Sequence, residues 1–145
     1  MNDSFGNYLI QKLLEKLHYE ALEEVIYKVK DYIIKIAPHF LSLGLDSHGT
    51  RVLQKLLDVI FSNIRLLDLY LRIFSPYIIL SFIKDINGNH IIQKLVFNLP
   101  FPGNQFIYDI VKANLLEIGV HKHGCCVLQK CMEAANPPQK VKSMQ

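Results

Sequence analysis

Long hydrophobic runs are missing from this 145-residue sequence. The most apolar stretch, Ile64 to Ile83, is broken by Arg65, Asp68, Arg72 and Pro76, which a membrane helix of about 20 residues would not readily carry. The N-terminus holds no apolar segment behind a basic cluster, so a secretory signal is not indicated and a soluble chain off the membrane is expected. Cysteine is scarce. Cys125, Cys126 and Cys131 are odd in number and crowded near the C-terminus, which is no disulfide framework and fits a reducing compartment. Charge of one sign is scarce too: 16 Lys and Arg against 13 Asp and Glu leave a net +3, well short of a polybasic binder. A nucleic-acid ligand would therefore be selected by placed side chains rather than by bulk charge. Low-complexity tracts are absent, which excludes a disordered chain, and no segment alternates with the period of a strand.

What is present is half hydrophobic, enough for one core and too short to promise two domains. The apolar residues come in short helical lengths, and one such length occurs four times. The copies are Phe5-Gly6-Asn7-Tyr8-Leu9-Ile10-Gln11-Lys12-Leu13-Leu14, His48-Gly49-Thr50-Arg51-Val52-Leu53-Gln54-Lys55-Leu56-Leu57, Asn87-Gly88-Asn89-His90-Ile91-Ile92-Gln93-Lys94-Leu95-Val96 and His123-Gly124-Cys125-Cys126-Val127-Leu128-Gln129-Lys130-Cys131-Met132. Asn7, Thr50, Asn89 and Cys125 stand 43, 39 and 36 residues apart, inside the range of helical repeat arrays.

Each copy reads as a compact amphipathic helix. The first variable residue and the Gln lie four apart, stacked one turn from each other, and the second variable residue projects about 100° round the axis. The two aliphatics point away from this polar edge.

Between the motif helices the chain predicts further helices. Asp3 or Ser4 can cap a first helix from about Gly6 to Leu17. An outer helix is expected from Glu20 to about Val29, a shorter one over Tyr32 to Ile36, and another with Pro38 at its first position through Leu43, with Asp46-Ser47 punctuating before the second motif. The second motif helix is expected from Gly49 to about Phe61, an outer helix over Ile64 to Phe74, and a short one over Pro76 to Ile83. The third motif helix should run to about Asn98 and stop at Pro100-Phe101-Pro102-Gly103, with a restart over Gln105 to about Lys112. Leu115 to Val120 then leads into the fourth motif, which fades at Ala134-Ala135-Asn136-Pro137-Pro138. The architecture is all-α with about three helices per unit. Neither end carries an atypical capping sequence, so a fragment of a longer array is expected.

On these four motifs the chain resembles the Pumilio (PUF) family of RNA-binding proteins, and Pro38-His39-Phe40 and Pro76-Tyr77-Ile78 are similar to the family's short first helix. The resemblance covers nearly the whole chain. It implies a right-handed α-solenoid of three-helix PUF repeats in a curved superhelix, with units at about 1–30, 31–75, 76–113 and 114–145. Each inner helix would read one base of single-stranded RNA with two or three side chains. Base-edge readers are then Asn7 with Gln11 and Asn89 with Gln93 for uracil, Cys125 with Gln129 for adenine, and Thr50 with Gln54 for adenine or any base. Tyr8, Arg51 and His90 fill the stacking position, and Cys126 stands there in place of a ring or Arg. Family members bind RNA antiparallel, which implies a 5′-A-U-(A or any)-U-3′ core. The resemblance also implies a monomeric cytoplasmic regulator of mRNA 3′-untranslated regions, with repression or deadenylation machinery on the outer face.

The plainer alternatives are weighed on the same residues. One polar residue on a helix is ordinarily a solvated face; recurrence at one position in four units favours a function. Lys12, Lys55, Lys94 and Lys130 can reach phosphates or merely cover surface. Adjacent Cys residues diverge on a helix and no second pair has zinc spacing, so no metal is expected around His121, His123, Cys125, Cys126 and Cys131. No orienting group completes a Cys-His pair, and the Lys-Ser/Thr of a P-loop is absent, so neither an enzyme nor a cofactor is expected. Two rivals remain: a nucleolar ribosome-biogenesis relative with little base preference, and a HEAT- or armadillo-like protein scaffold.

Overall fold

An apolar residue at every third or fourth position makes each helix of this chain bury one stripe and leave the other side to solvent. In the computed structural model, residues 22–136 are described together with Tyr8 and Lys12. The expected first motif helix, apart from those two residues, lies outside the described residues. The chain forms two compact units, Met1–Ser75 and Pro76–Gln145. Among the described residues there are helices and turns and no strand, as the patterning predicts.

The first unit opens with α1, Leu22–Ile36, which buries Val25, Val29, Tyr32, Ile33 and Ile36. The break expected near Lys30 does not occur. No Gly or Pro interrupts this stretch, and Asp31, instead of capping a new helix, pairs along the exposed side with Lys35 at 2.8 Å, as Glu24 does with Lys28 at 3.1 Å. Pro38 sits inside a 3-10 turn, Ala37–His39, rather than opening the next helix. α2, Phe40–Leu45, follows.

α3, Ser47–Ile60, is the second motif helix and buries Val52, Leu53, Leu56, Leu57, Val59 and Ile60. Asn63 then caps α4, Ile64–Leu71, its side-chain oxygen accepting from the amides of Arg65 and Leu66 at 3.1 Å each. This helix is shorter than expected: Ile73 and Phe74 bond three residues back and close it as tight turns before Pro76. Phe40 is fully buried and meets Tyr70 and Phe74 edge-on, with ring centroids 5.4 and 5.0 Å apart. Such pairs are favoured by the ring quadrupole. The Tyr70 hydroxyl donates to the Leu53 carbonyl at 3.1 Å, tying α4 to α3.

The second unit repeats the plan. α5, Pro76–Ile83, is followed by the motif helix α6, Asn89–Asn98, then α7, Gln105–Ala113, the short α8, Leu115–Gly119, and the motif helix α9, Gly124–Ala134. α9 packs on α6 and α8, and α5 packs on α6 and α7. The Tyr108 hydroxyl donates to the Cys131 carbonyl at 2.7 Å, so here again an outer-helix tyrosine holds a motif helix. Burial pushes the Cys131 thiol up to about 12.

Each of the three described motif helices begins the same way. Asp46 Oδ2 accepts from the amides of His48 and Gly49 at 2.9 and 2.8 Å, and Asp85 Oδ2 from those of Asn87 and Gly88 at 2.8 Å each. At the fourth motif His121 Nδ1 takes the carboxylate's place, accepting from His123 and Gly124 at 3.1 and 3.3 Å. These are the amide donors that a helix start leaves without a partner.

The Gly49 amide, then the Asp46 side chain's other partner at His48, hold the Asp46 carboxyl below its ordinary value of 3.8. A group lowered on folding contributes stability that is complete above its unfolded pKa and is lost as pH falls through its folded one. Acid titration of the helical signal should therefore show wild type losing an increment of stability below about pH 4 that Asp46→Ala lacks at every pH. Parallel acid limbs for the two proteins would contradict the cap.

Candidate nucleic-acid interface

The caps place the motif Gly at the start of each of the three described motif helices, against the preceding short helix. There is no room for a side chain. A Cβ on Gly49 would lie 2.3 Å from the Leu43 carbonyl oxygen, on Gly88 2.8 Å from the Phe82 Cα, and on Gly124 2.5 Å from the Ile118 carbonyl oxygen. This contact sets the depth of the residues that follow.

In α3 and α6 the first variable residue is drawn in. Thr50 and Asn89 are 4% and 5% exposed, less open than a polar edge read from sequence suggests. Asn89 Nδ2 donates to the carbonyls of Asp85 and Ile86 at 2.7 and 2.9 Å, while its Oδ1 accepts from Gln93 Nε2 at 2.8 Å. Both protons of the Asn89 amide are thus committed to the backbone. What the pair offers outward is the remaining capacity of Asn89 Oδ1 together with the second N–H and the Oε1 of Gln93. In α3 the equivalent contact runs from Gln54 Nε2 to Thr50 Oγ1 at 3.3 Å. The expected spacing of one turn between the first variable residue and the Gln is therefore present as a hydrogen bond in both helices.

The fourth motif departs from this. Cys125 is exposed, its thiol 3.2 Å from the Lys122 carbonyl, and Gln129 is exposed beside it. A thiol makes no amide bridge to the Gln, so of the three described pairs this one is the least constrained.

The neighbouring positions are open. Tyr8 is 57% exposed, and Arg51, His90 and Cys126 are also exposed. A flat guanidinium and two exposed rings suit a base plane. Lys12 lies 5.1 Å over the Tyr8 ring. Lys55 and Lys94 are half-buried, and Lys130 is shared between Glu133 at 3.5 Å and the Phe97 ring at 6.0 Å. Asn7 and Gln11 lie outside the described residues. Sequence reasoning passed over His121 as a cap and Phe97 altogether; alignment of the motifs on their Gly residues signals both positions.

With exposed thiols only at Cys125 and Cys126, brief alkylation at neutral pH should add two groups and leave Cys131 unmodified until the chain unfolds. Intact-mass and peptide spectrometry read this directly, and a third adduct on the native chain would contradict the packing of α9.

The sequence profile described as the "Pumilio-family RNA binding repeat" matches residues 1–29, 39–65, 79–111 and 114–142. A Pumilio domain-containing protein of Schizosaccharomyces pombe is 37% identical over 96% of this chain and 19% of its own length. The suppressor protein MPT5 of Saccharomyces cerevisiae is 35% identical over 94% of this chain and 16% of its own. Among solved structures, the Puf4 RNA-binding domain bound to the HO endonuclease 3′ UTR recognition sequence superposes with a TM-score of 0.81 at 39% identity, covering 99% of this chain and 42% of that one. The RNA-binding domain of yeast Puf5p bound to SMX2 RNA does so with 0.78 at 35%, over 99% and 39%. The chain therefore spans about a fifth of these curated relatives and under half of the solved domains. The likeness establishes the α-helical repeat fold.

Proposed function

Because this chain belongs to the Pumilio family of RNA-binding repeat proteins, we propose that it binds single-stranded RNA and reads one base with each motif helix. The observation that carries the reading is the Asn89–Gln93 bridge at 2.8 Å. Anchoring on Asp85 and Ile86 fixes the Asn89 oxygen as an acceptor, and the bridge leaves a Gln93 N–H beside it. An acceptor next to a donor complements the imide N–H of uracil and one flanking carbonyl. A reader pre-set in this way loses little freedom on binding. The exposed ring of His90 supplies a plane for stacking, worth about 1–3 kcal/mol per base.

Each unit in turn gives the core 5′-A-U-(A or any)-U-3′, with Cys125 and Gln129 at the 5′ adenine, Asn89 and Gln93 and then Thr50 and Gln54 within, and Asn7 and Gln11 at the 3′ uracil. Arg51, Tyr8 and His90 stack. Lys12, Lys55, Lys94 and Lys130 are the phosphate contacts of this reading. The 3′ UTR sequence bound by the Puf4 domain supports a target of the same kind, an mRNA 3′-untranslated region. Repression or decay through machinery recruited to the outer face, action in the cytoplasm as a monomer, and the absence of catalysis complete the proposal.

Fluorescence anisotropy at one moderate salt tests it, comparing RNA containing AUAU with RNA whose uracils are cytosines. Tighter binding to AUAU, lost on Asn7→Ala with Asn89→Ala, is expected. Equal affinity for both RNAs would sink base reading, and no affinity for either by a folded sample would sink RNA binding.

A further inference from the structure

Seven residues after the stacking position, the four motif helices carry Glu15, Asp58, Phe97 and Glu133. Seven residues are nearly two turns, so this side chain leaves the helix within about 20° of the stacking residue's direction and about 10.5 Å further along. Three copies place a carboxylate there, and the third places a ring. The core does not ask for it: α6 buries Ile91, Ile92, Leu95 and Val96, while Phe97 stands 51% exposed. Lys130, on α9 of the same unit, holds its ammonium 6.0 Å from the ring centroid, at the outer limit of a cation–π contact. Its other partner is Glu133 at 3.5 Å, in a pair exposed on both sides that holds weakly against solvent.

We propose that Phe97 and Lys130 form an additional nucleotide subsite, in which the ring stacks a base of the bound RNA and the ammonium meets the adjoining phosphate. The inference rests on the RNA-binding reading above and extends it. Every base has a face that an aromatic plane can take, without regard to its edge, and an ammonium is a compact partner for phosphate. A base arriving on the ring displaces the loosely held ammonium outward, toward that nucleotide's own phosphate. A carboxylate at this position offers no plane and repels phosphate, so the sister motifs cannot do the same. The subsite adds affinity and leaves the choice of base to Asn89 and Gln93.

The test is anisotropy with a 5′-labelled RNA of about twelve nucleotides containing AUAU, using the whole chain. Phe97→Leu, which keeps the apolar bulk without the plane, should weaken binding about tenfold, Phe97→Glu more so, and Phe97→Tyr less than twofold. Lys130→Ala should lower the slope of log affinity against log salt by about one. The uracil-to-cytosine ratio should stay that of wild type in all of them. Thermal midpoints unchanged from wild type exclude misfolding as the cause. Wild-type affinity in Phe97→Leu, or equal losses in Leu and Tyr, would overturn the subsite. Weakened Phe97→Leu with an unaltered Asn89→Ala/Gln93→Ala variant would support the subsite while sinking base reading, and a wild type that binds no RNA would sink both.

Discussion

Gly49→Ala is expected to lower the thermal unfolding midpoint by about 3–9 °C, the equivalent of about 1–3 kcal/mol for forcing an extra carbon into a filled site of a chain this size. The new Cβ would come 2.3 Å from the Leu43 carbonyl oxygen and 2.9 Å from both the carbon and the Cα of the same residue. These are backbone atoms, and no rotamer change can move them aside. Relief requires that α3 slide off the end of α2, which would disturb the Asp46 cap and draw Val52 and Leu53, both at most 1% exposed, away from their neighbours. Gly119→Ala is the control. Its added carbon meets nothing nearer than the Leu128 Cδ2 at 3.9 Å, and its backbone is not in a conformation that favours glycine. Reduced freedom of the unfolded chain should make it neutral or stabilising by up to about 1 kcal/mol. Circular dichroism melts of the two variants would decide the matter, and equal midpoints would remove close approach as the reason the motif carries glycine.

The same contact explains how far the fold was legible in sequence. The recurrence of Gly, two variable residues, two aliphatics and Gln-Lys located all three described motif helices, and the C-terminal ends of α6 and α9 fell where the asparagines and prolines put them. Spacing revealed that a glycine was wanted. It could not reveal the Leu43 oxygen, because that atom belongs to another helix. Nor did it show that Thr50 and Asn89 lie nearly buried: a polar residue in a first turn reads as solvated until the packing that covers it is known. Lys30 misled for a related reason. A charged stretch looks like a boundary, but Glu24 with Lys28 and Asp31 with Lys35 span one turn each, a spacing that supports a continuous helix.

The caps were half legible. Asp46 and Asp85 carry an ordinary capping signal ahead of their motifs. His121 does not, since a histidine fills the role only when its Nδ1 faces the amides, and that is a property of orientation rather than of residue type. Phe97 was hidden by company. It follows Val96 in an apolar run and looks like core until burial separates the two, 2% against 51% exposed.

Asn89→Ser combined with Gln93→Glu should turn the third motif from uracil toward guanine. In wild type the Asn89 amide spends both protons on the Asp85 and Ile86 carbonyls and gives its oxygen to Gln93, which fixes the pair as acceptor beside donor. A glutamate at 93 has no proton to give a uracil carbonyl. It accepts instead from the N1–H and N2–H of guanine, side by side, in the two-oxygen geometry that a carboxylate suits. The shorter serine releases the glutamate from its amide partner and makes room for the larger base. A contact to the wrong base costs about 1–3 kcal/mol, so wild type should prefer uracil at this position and the double variant guanine, each by about 5- to 150-fold. The exchange also carries a structural cost. Asp85 keeps the bond from the Asn89 backbone amide at 3.2 Å, whereas the Ile86 carbonyl loses the Asn89 side chain, so stability should fall by about 1 kcal/mol. Anisotropy with RNAs that differ only at this base, alongside a melt of each protein, separates the two effects. Retained uracil preference at unchanged affinity would show that Asn89 and Gln93 serve the helix start alone, and that the bridge between them is a structural bond.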